Sequence, residues 1–181
     1  SHAGRLLAKI LEHLRNEVRV GLTTNFLDKL SFRLILENHA EPAFLGYQPA
    51  GAKHAYSKTL CTSLNDVVVH GLPSEYRLKN GDLLKIDLGL KYRGFFADAA
   101  LTVGVGQISP EVSKLIGVTK RALNLAIKNL VLGKTLGDVG HAVENHIRKN
   151  KFSVVRSLTG HGIGRELHEE PTVLNFGKPG A

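Results

Sequence analysis

The chain has 181 residues and a formal net charge of +8 at pH 7, with 43% hydrophobic and 22% charged residues. These proportions are ordinary for a globular domain, and no apolar run approaches the roughly 20 residues that a membrane-spanning helix needs. The composition therefore indicates a soluble globular protein and excludes a helical membrane protein.

Two further features of the composition indicate cellular location and partners. Cys61 is the single cysteine, so an internal disulfide is impossible, and no signal peptide is visible because Arg5 and Lys9 interrupt the first apolar stretch. We therefore expect a cytoplasmic protein. The basic side chains are scattered, and the longest group is at residues 148–151. Two interpretations therefore stay open, a solvated basic surface and a binding surface for RNA or the ribosome.

Two amphipathic helices are predicted at the start of the chain. Apolar residues recur at helical spacing between residues 6 and 18, with charged residues between them. Gly21 ends this helix, and Thr23 or Thr24 supplies a capping hydroxyl for a second helix that continues to about Asn38.

Short strands and a loop are predicted next. Residues 43–47 form a short strand in this interpretation, and the Gly-, Ala- and Pro-rich residues 48–57 form a loop. Residues 60–64 and 67–70 also have the composition of strands, and the turn pair Asn65–Asp66 separates them.

A hairpin at residues 82–103 is the centre of the predicted fold. Leucine and isoleucine alternate with other residues in its first strand, which places them on one face and Asp87 on the other. If Tyr92 and Arg93 form the tip of the turn, Asp87 lies directly opposite Asp98. A one-residue slip in register would instead turn one of these aspartates to the opposite face.

Two opposed aspartates have a specific consequence. Directly opposed residues have Cβ atoms about 5 Å apart, and like charges at that separation destabilise a sheet. Either one carboxyl group is protonated or a cation lies between the two, and hard carboxylate oxygens suit a divalent metal. The alternative interpretation is that Asp87 and Asp98 are solvent-facing residues of an ordinary hairpin.

The second half of the chain is predicted to contain two more helices. Residues 109–111, Ser-Pro-Glu, form a helix start, and that helix runs to about Leu132. Thr135 with Asp138 has the pattern of a capping box for a fourth helix. The remaining predicted segments are a strand at residues 152–156 and a glycine- and histidine-rich segment at residues 160–171 that cannot be a regular helix.

The two halves of the sequence repeat each other. A shift of 112 residues aligns the cap and the apolar positions of the second helix with those of the fourth. A second hairpin would then fall near residues 199–210, so we expect the sequence to lack the end of its second half. The aligned pairs are Gly21 with Gly133, Thr23 with Thr135, Leu27 with Val139, Leu30 with Ala142, Ile35 with Ile147, and Asn38 with Asn150.

Four ordered motifs resemble those of the type I methionine aminopeptidases. They are C-T-S-L-N-D-V-V-V-H-G-L-P at residues 61–73, K-N-G-D-L-L-K-I-D-L at 79–88, F-F-A-D at 95–98 and G-H-G-I-G-R-E-L-H-E-E-P at 160–171. The resemblance implies the pita-bread fold, an α+β domain whose two related halves enclose a dinuclear metal centre. On this basis residues 1–181 are one aminopeptidase-like domain, with a first half of about residues 1–106 and the start of a second half at about residues 107–181.

The resemblance also implies roles for individual residues. Asp87, Asp98 and His161 correspond to metal ligands in that family. His70 and His168 correspond to two histidines that are not ligands, which bind the substrate amine or peptide nitrogen and polarise the scissile carbonyl. The positions that correspond to the methionine pocket are Phe44, Tyr47, Cys61 and Leu167.

The implied reaction is metal-assisted hydrolysis of the first peptide bond. Two divalent ions, for which Mn, Fe, Co and Zn are equally suitable, activate a water that attacks the first peptide carbonyl. The family takes two further ligands from glutamates that would lie beyond Ala181, and Glu166, Glu169 and Glu170 are not their equivalents. We therefore expect that a chain ending at Ala181 binds metal weakly and lacks hydrolase activity.

The expected partners follow from the same resemblance, and two alternatives stay open. The expected substrates are nascent polypeptides with an N-terminal methionine, the ribosome is a further candidate partner, and we expect a monomer without membrane contact. One alternative is an X-Pro aminopeptidase or dipeptidase of the same fold. The other is a non-catalytic pita-bread protein that binds RNA or ribosomes through its basic surface.

Overall fold

The protein is described by a computed structural model that covers residues 1–49 and 51–181, so Ala50 of the predicted loop lies outside the described residues. The chain divides into two units, and the prediction that they form one domain stays a prediction. The first unit comprises Ser1–Ser109 and Ile163–Leu167, and the second comprises Pro110–Gly162 and His168–Ala181.

The first unit packs two helices against an antiparallel sheet. Its elements are α1 (His2–Glu17), α2 (Thr24–Glu37), β1 (Glu41–Pro42), β2 (Leu60–Leu64), β3 (Leu83–Tyr92) and β4 (Phe95–Gly104). β3 pairs with each of the other three strands and is therefore the central strand of the sheet. The two helices end close to the residues that the sequence predicted.

One face of β3 forms the core of this unit. Leu84, Ile86, Leu88 and Leu90 alternate along the strand, and each is 0% exposed, which confirms the predicted alternation. They belong to one apolar cluster with the buried side chains of α1 and α2. Burying one such side chain contributes about 1.5–3 kcal/mol. This face therefore fixes which residues of β3 point inward, and Asp87 is left on the other face.

Two predicted strands of the first unit are wrong. Residues 43–47 do not extend β1, because the chain turns at once and the Tyr47 N–H donates to the Phe44 carbonyl at 2.9 Å. Residues 67–70 are not a strand either, because the backbone of His70 has a φ of 58°, which lies outside the extended region. Both segments are short apolar runs whose composition alone favoured a strand.

The second unit consists of a helix pair and a two-stranded antiparallel sheet. Its elements are α3 (Pro110–Asn129), α4 (Leu136–Lys149), β5 (Thr159–Gly162) and β6 (Glu169–Leu174). The capping box predicted for α4 is present, since Thr135 and Asp138 hydrogen-bond each other's backbone N–H. α3 ends before the predicted Leu132, where the side chain of Asn129 donates to the Leu125 carbonyl at 2.9 Å.

The strand predicted at residues 152–156 is also wrong. The Phe152 N–H donates to the Ile147 carbonyl at 3.1 Å and so closes the end of α4. The side chains of Phe152 and Val154 pack against the apolar contact between α3 and α4. This segment therefore supplies apolar side chains to the helix pair and does not pair with a strand.

The C-terminal ends of α2 and α4 have the same geometry. Asn38 and Asn150 are their C-cap residues, with φ values of −97° and −92°. Asn38 Nδ2 donates to the Leu34 carbonyl at 2.8 Å, and Asn150 Nδ2 donates to the His146 carbonyl at 2.9 Å. Both pairs of equivalent residues are 112 positions apart, so the internal repeat predicted from the sequence is confirmed in local structure.

Candidate active site

The hairpin of β3 and β4 has a register different from the predicted one. Asp87 lies opposite Ala100, and Asp98 lies opposite Gly89, so the prediction that the two aspartates oppose each other directly is wrong. The tip is Arg93–Gly94, whose positive φ values of 53° and 80° are those of a two-residue type I′ turn. Glycine at the second position suits this conformation, which moves the tip one residue beyond the predicted one.

Asp87 and Asp98 nevertheless lie on the same face of the hairpin. In the observed register they are diagonal neighbours across the two strands. Diagonal positions are about 7–8 Å apart at Cα, a separation that side chains can bridge. A hydrogen bond joins the two carboxyl groups. Burial, together with the charge of Asp98 and this hydrogen bond, raises the pKa of Asp87 to about 7.

Cys61 extends this face onto β2. It lies opposite Asp87 on the neighbouring strand and is 4% exposed. The pKa of the Cys61 thiol is raised to about 11, mainly by burial. A hydrogen bond with Tyr56 lowers this pKa, and the negative charges of Asp87 and Asp98 raise it. The thiol is therefore neutral near pH 7 and presents an uncharged surface beside the carboxyl pair.

Tyr56 is a residue of this site that the sequence analysis missed. Its hydroxyl hydrogen-bonds Cys61 and donates to the Leu60 carbonyl at 3.1 Å. Burial raises the pKa of the Tyr56 phenol far above its usual range. The segment was interpreted only as a loop, and the available signal was a lone aromatic residue shortly before β2.

Phe44 and Gly89 form an apolar wall beside the carboxyl pair. A Cβ at Gly89 would lie 2.6 Å from Phe44 Cε1 and 3.0 Å from Ala43 Cβ. Glycine at this position therefore makes room for the Phe44 ring. Because Gly89 lies opposite Asp98, the ring covers the strand on the face that carries the carboxylates. Gly89 was not recognised in the sequence, since its role appears only when the ring is placed over it.

Three other predicted pocket residues also belong to the first unit. The Tyr47 carbonyl accepts from the Tyr56 N–H at 2.8 Å, which ties the two tyrosines together. Leu167 is buried at 4% exposure. His70 is exposed, and the chain after it is held on β2 by the Gly71 N–H, which donates to Ser63 Oγ at 3.0 Å. The assignment of Tyr47, His70 and Leu167 to one pocket stays a prediction.

The two predicted site histidines of the second unit contact each other. The rings of His161 and His168 have centroids 4.4 Å apart and are tilted by 56°. His161 Nδ1 lies 2.8 Å from the Gly162 carbonyl, which can only accept, so Nδ1 carries the proton of that hydrogen bond. In the neutral ring, Nε2 then carries the free lone pair, and an imidazole binds a metal through such a nitrogen.

The donor chemistry of these residues fits a divalent cation. The Asp87–Asp98 pair brings two carboxyl groups together, and carboxylate oxygens are hard ligands that suit a divalent cation. Burial and mutual repulsion disfavour two negative charges at this place. A bound cation would remove that repulsion. Across residues 1–49 and 51–181, no group of three or more His, Cys, Asp and Glu side chains is arranged to hold a metal ion. The joint binding of one ion by Asp87, Asp98 and His161 therefore stays a prediction.

Comparison with known proteins gives a consistent result along the whole chain. Residues 1–180 match the family model described as metallopeptidase family M24. A methionine aminopeptidase of Clostridium perfringens is 41% identical over 178 residues, which cover 98% of this chain and 69% of that relative. The crystal structure of a methionine aminopeptidase from Thermotoga maritima superposes with a TM-score of 0.93 at 37% identity, covering 99% of this chain and 70% of that one.

More distant structures share only the fold. The prolidase of Pyrococcus horikoshii has a TM-score of 0.81 at 22% identity, and the match covers 98% of this chain and 48% of that one. Together with the Thermotoga maritima structure, this similarity confirms the predicted α+β pita-bread fold.

Proposed function

The chain belongs to metallopeptidase family M24, and from this premise we propose that it is a metal-dependent aminopeptidase that removes the N-terminal methionine from nascent polypeptides. Relatives named methionine aminopeptidase are 36–41% identical to it over nearly its whole length. The observation that carries the proposal is the hydrogen-bonded pair of Asp87 and Asp98 on one face of the β3–β4 hairpin. An ordinary solvent-facing hairpin would gain nothing from two adjoining, partly buried carboxyl groups.

The proposed cofactor is a pair of divalent ions, for which Mn, Fe, Co and Zn are all suitable. Asp87, Asp98 and His161 are the residues that would hold them. When bound, such ions supply an activated water for attack on the first peptide carbonyl. In the protein alone, the hydrogen bond between the two carboxyl groups keeps them together on the hairpin, which preorganises two of the ligands.

The remaining site residues are proposed to bind the substrate. Phe44, Cys61 and Leu167 present apolar or neutral surfaces that suit the thioether side chain of methionine. Tyr56 holds Cys61 through a hydrogen bond and so positions the thiol without charging it. Tyr47 is proposed to line the same pocket. His70 and His168 are proposed to hydrogen-bond the substrate amine or peptide nitrogen and to polarise the scissile carbonyl.

The proposed location is the cytoplasm, where nascent polypeptides carry an N-terminal methionine. In the described residues, every helix is either too short or too polar to cross a membrane. We propose that the protein acts as a monomer on chains emerging from the ribosome. Its net charge of +8 would favour encounter with an anionic ribosome surface.

The proposal is tested by peptide hydrolysis with metal control. The test uses a purified protein that also carries the two further glutamate ligands, because a chain ending at Ala181 is expected to be inactive. This protein is freed of metal by a chelator, reloaded with Mn²⁺, Co²⁺ or Zn²⁺, and incubated with a Met-Ala-Ser peptide and an Ala-Pro peptide. We expect methionine release that is abolished by the chelator and restored by at least one metal. Cleavage of the Ala-Pro peptide alone would favour the X-Pro alternative. Cleavage of neither peptide by the folded, metal-loaded protein would overturn the proposal.

A further inference from the structure

Residues 57–59 lead into strand β2, and the side chain of Asp28 on α2 binds this short connection. Asp28 Oδ1 accepts from the Thr59 N–H at 2.7 Å, and Asp28 Oδ2 lies 3.7 Å from Lys58 Nζ. Lys58 Nζ also donates to Asn25 Oδ1, at the start of α2, at 2.9 Å. In the described part of the chain, every hydrogen bond from residues 57–59 to another element ends on α2. The connection therefore depends on α2 for its position.

The position of this connection determines where the Tyr56 side chain lies. The Tyr56 hydroxyl donates to the carbonyl of Leu60, the first residue of β2, at 3.1 Å, and it also hydrogen-bonds Cys61. The Tyr56 backbone is bound on the other side, where its N–H donates to the Tyr47 carbonyl at 2.8 Å. A displacement of residues 57–59 would therefore separate the Tyr56 hydroxyl from its two partners on β2.

The Asp28 carboxylate also acts on Tyr56 through its charge. Burial and the contact with Cys61 are the main causes of the raised pKa of the Tyr56 phenol, and the negative charge of Asp28 raises this pKa further. Another ion pair on α2 has the same length but a different setting. Arg33 Nε and Glu37 Oε1 are 3.7 Å apart, and both of these exposed residues belong to the helix itself. Asp28 differs because its hydrogen bond leaves the helix and reaches the segment that follows Tyr56.

We propose that Asp28 is a positioning residue that holds Tyr56 and Cys61 in place in the methionine pocket. It acts through the Thr59 N–H, immediately before the Leu60 carbonyl that accepts from the Tyr56 hydroxyl. The ion pair with Lys58 contributes less, because ion pairs near the protein surface are worth little. The consequence for methionine binding rests on the proposed function, whereas the position of Tyr56 can be measured without it.

The first test observes Tyr56 directly and needs no peptidase activity. The chain is labelled with fluorotyrosine, which gives one ¹⁹F signal for each of the four tyrosines, and the Tyr56 signal is assigned from Tyr56→Phe. We expect Asp28→Ala to shift the Tyr56 signal and to leave the signal of Tyr92, on β3, unchanged. Asp28→Asn should restore the Tyr56 signal, because an amide oxygen can still accept from the Thr59 N–H. The matched control, Glu37→Ala, should change none of the signals.

The same spectra distinguish positioning from a general effect on the fold. If Asp28→Ala is folded and the Tyr56 signal does not move, or if the Tyr92 signal moves equally, the proposal is wrong. If Asp28→Ala does not fold, Lys58→Ala takes its place, since it removes only the weaker contact with the partly exposed lysine. This variant should shift the Tyr56 signal by a smaller amount, and an unchanged signal would overturn the proposal.

The second test measures substrate binding, in the protein that also carries the two further glutamate ligands. Asp28→Ala should raise KM for a methionyl peptide by roughly fivefold, the factor that corresponds to one hydrogen bond, and leave kcat within about twofold. In the Tyr56→Phe background the same substitution should change KM much less, because the group through which Asp28 acts is already absent.

Equal effects on KM in the two backgrounds, or a loss confined to kcat, would overturn the proposal. If the original protein cleaves no methionyl peptide at all, the proposed function fails, and the ¹⁹F spectra still decide whether Asp28 positions Tyr56.

Discussion

Asp87 and Asp98 are diagonal neighbours across the β3–β4 hairpin, and a hydrogen bond joins their carboxyl groups. This arrangement predicts opposite effects on activity and on stability when one charge is removed. Asp87→Asn keeps the size of the side chain but removes a proposed metal ligand and a like-charge repulsion. We expect peptidase activity to fall by at least about 100-fold. The metal-free protein at pH 8 should be at least as stable as the original.

Peptide hydrolysis and thermal unfolding measure these two effects. The control is Asp66→Asn, which changes an exposed turn carboxylate and should alter neither quantity. A loss of both activity and stability in Asp87→Asn would indicate that Asp87 is a structural residue, contrary to the proposed metal site.

The close contact between Gly89 and Phe44 predicts that the two positions are coupled. Gly89→Ala adds a Cβ that would lie 2.6 Å from Phe44 Cε1, so the ring must move. We expect a several-fold increase in KM for a methionyl peptide and a destabilisation of about 1–3 kcal/mol, typical of overpacking. In Phe44→Ala/Gly89→Ala the clash with the ring is absent, and only the 3.0 Å approach to Ala43 Cβ remains. Gly89→Ala should therefore reduce the free energy of unfolding and raise KM by less in the Phe44→Ala background than in the original protein. A double-mutant cycle measures this difference.

If the two substitutions are additive in both KM and free energy of unfolding, Phe44 is not held over Gly89. That result would also remove the argument that Phe44 lines the substrate pocket.

Asp82 predicts a specific dependence of stability on acid pH. It is 7% exposed and accepts hydrogen bonds from the Lys79 N–H, Asn65 Nδ2 and the Tyr76 hydroxyl. Burial alone would raise the pKa of Asp82, but these hydrogen bonds outweigh it and hold the pKa below its usual 3.8. The folded state therefore binds this proton less readily than the unfolded chain. The stabilisation is present above about pH 4 and is lost as the pH falls through the lower pKa of the folded state.

Asp82→Asn tests this linkage. We expect a loss of about 1–2 kcal/mol in the free energy of unfolding at pH 7, because the hydrogen bonds to a charged acceptor become weaker. The difference from the original protein should shrink as the pH is lowered below 3.8. Denaturant unfolding at a series of pH values measures it, and a difference that stays constant down to pH 2 would contradict the assignment.

The single cysteine provides a reagent-based prediction. Burial raises the pKa of the Cys61 thiol to about 11, so at pH 8 only roughly one molecule in 1,000 carries the reactive thiolate. We expect native protein to react with a thiol reagent at least about 100-fold more slowly than protein unfolded in guanidinium. Tyr56→Phe should slow the native reaction further, because the hydrogen bond with Tyr56 lowers the thiol pKa. Fast labelling of native protein would mean that Cys61 is open to solvent.

The elements that the sequence predicted well are those with local causes. All four predicted helices are present, the N-cap of α2 is Thr23, and the capping box of Thr135 and Asp138 is observed as predicted. The alternation of Leu84, Ile86, Leu88 and Leu90 placed Asp87 on the correct face, because a strand has a period of two residues.

What could not be predicted depends on contacts between distant residues. The register of the hairpin was missed because it depends on the turn conformation at Arg93 and Gly94. Three short apolar runs were predicted as strands. In the structure their backbones turn or hydrogen-bond to the end of a helix, and none of the three is a strand. Tyr56 and Gly89 became recognisable only when their partners, Cys61 and Phe44, were placed beside them. The proposed metal ligands were identified from sequence motifs. That they bind one ion together stays a prediction.

The alternation along β3 limits how this hairpin can change in length. Deleting one residue between Leu84 and Leu90 would invert every following side chain, sending leucines toward the carboxyl face and Asp87 or its neighbours into the aliphatic interior. Adding two residues at the Arg93–Gly94 tip would preserve both faces. Insertions and deletions in this hairpin are therefore tolerable only as even numbers of residues, and only at its Arg93–Gly94 tip.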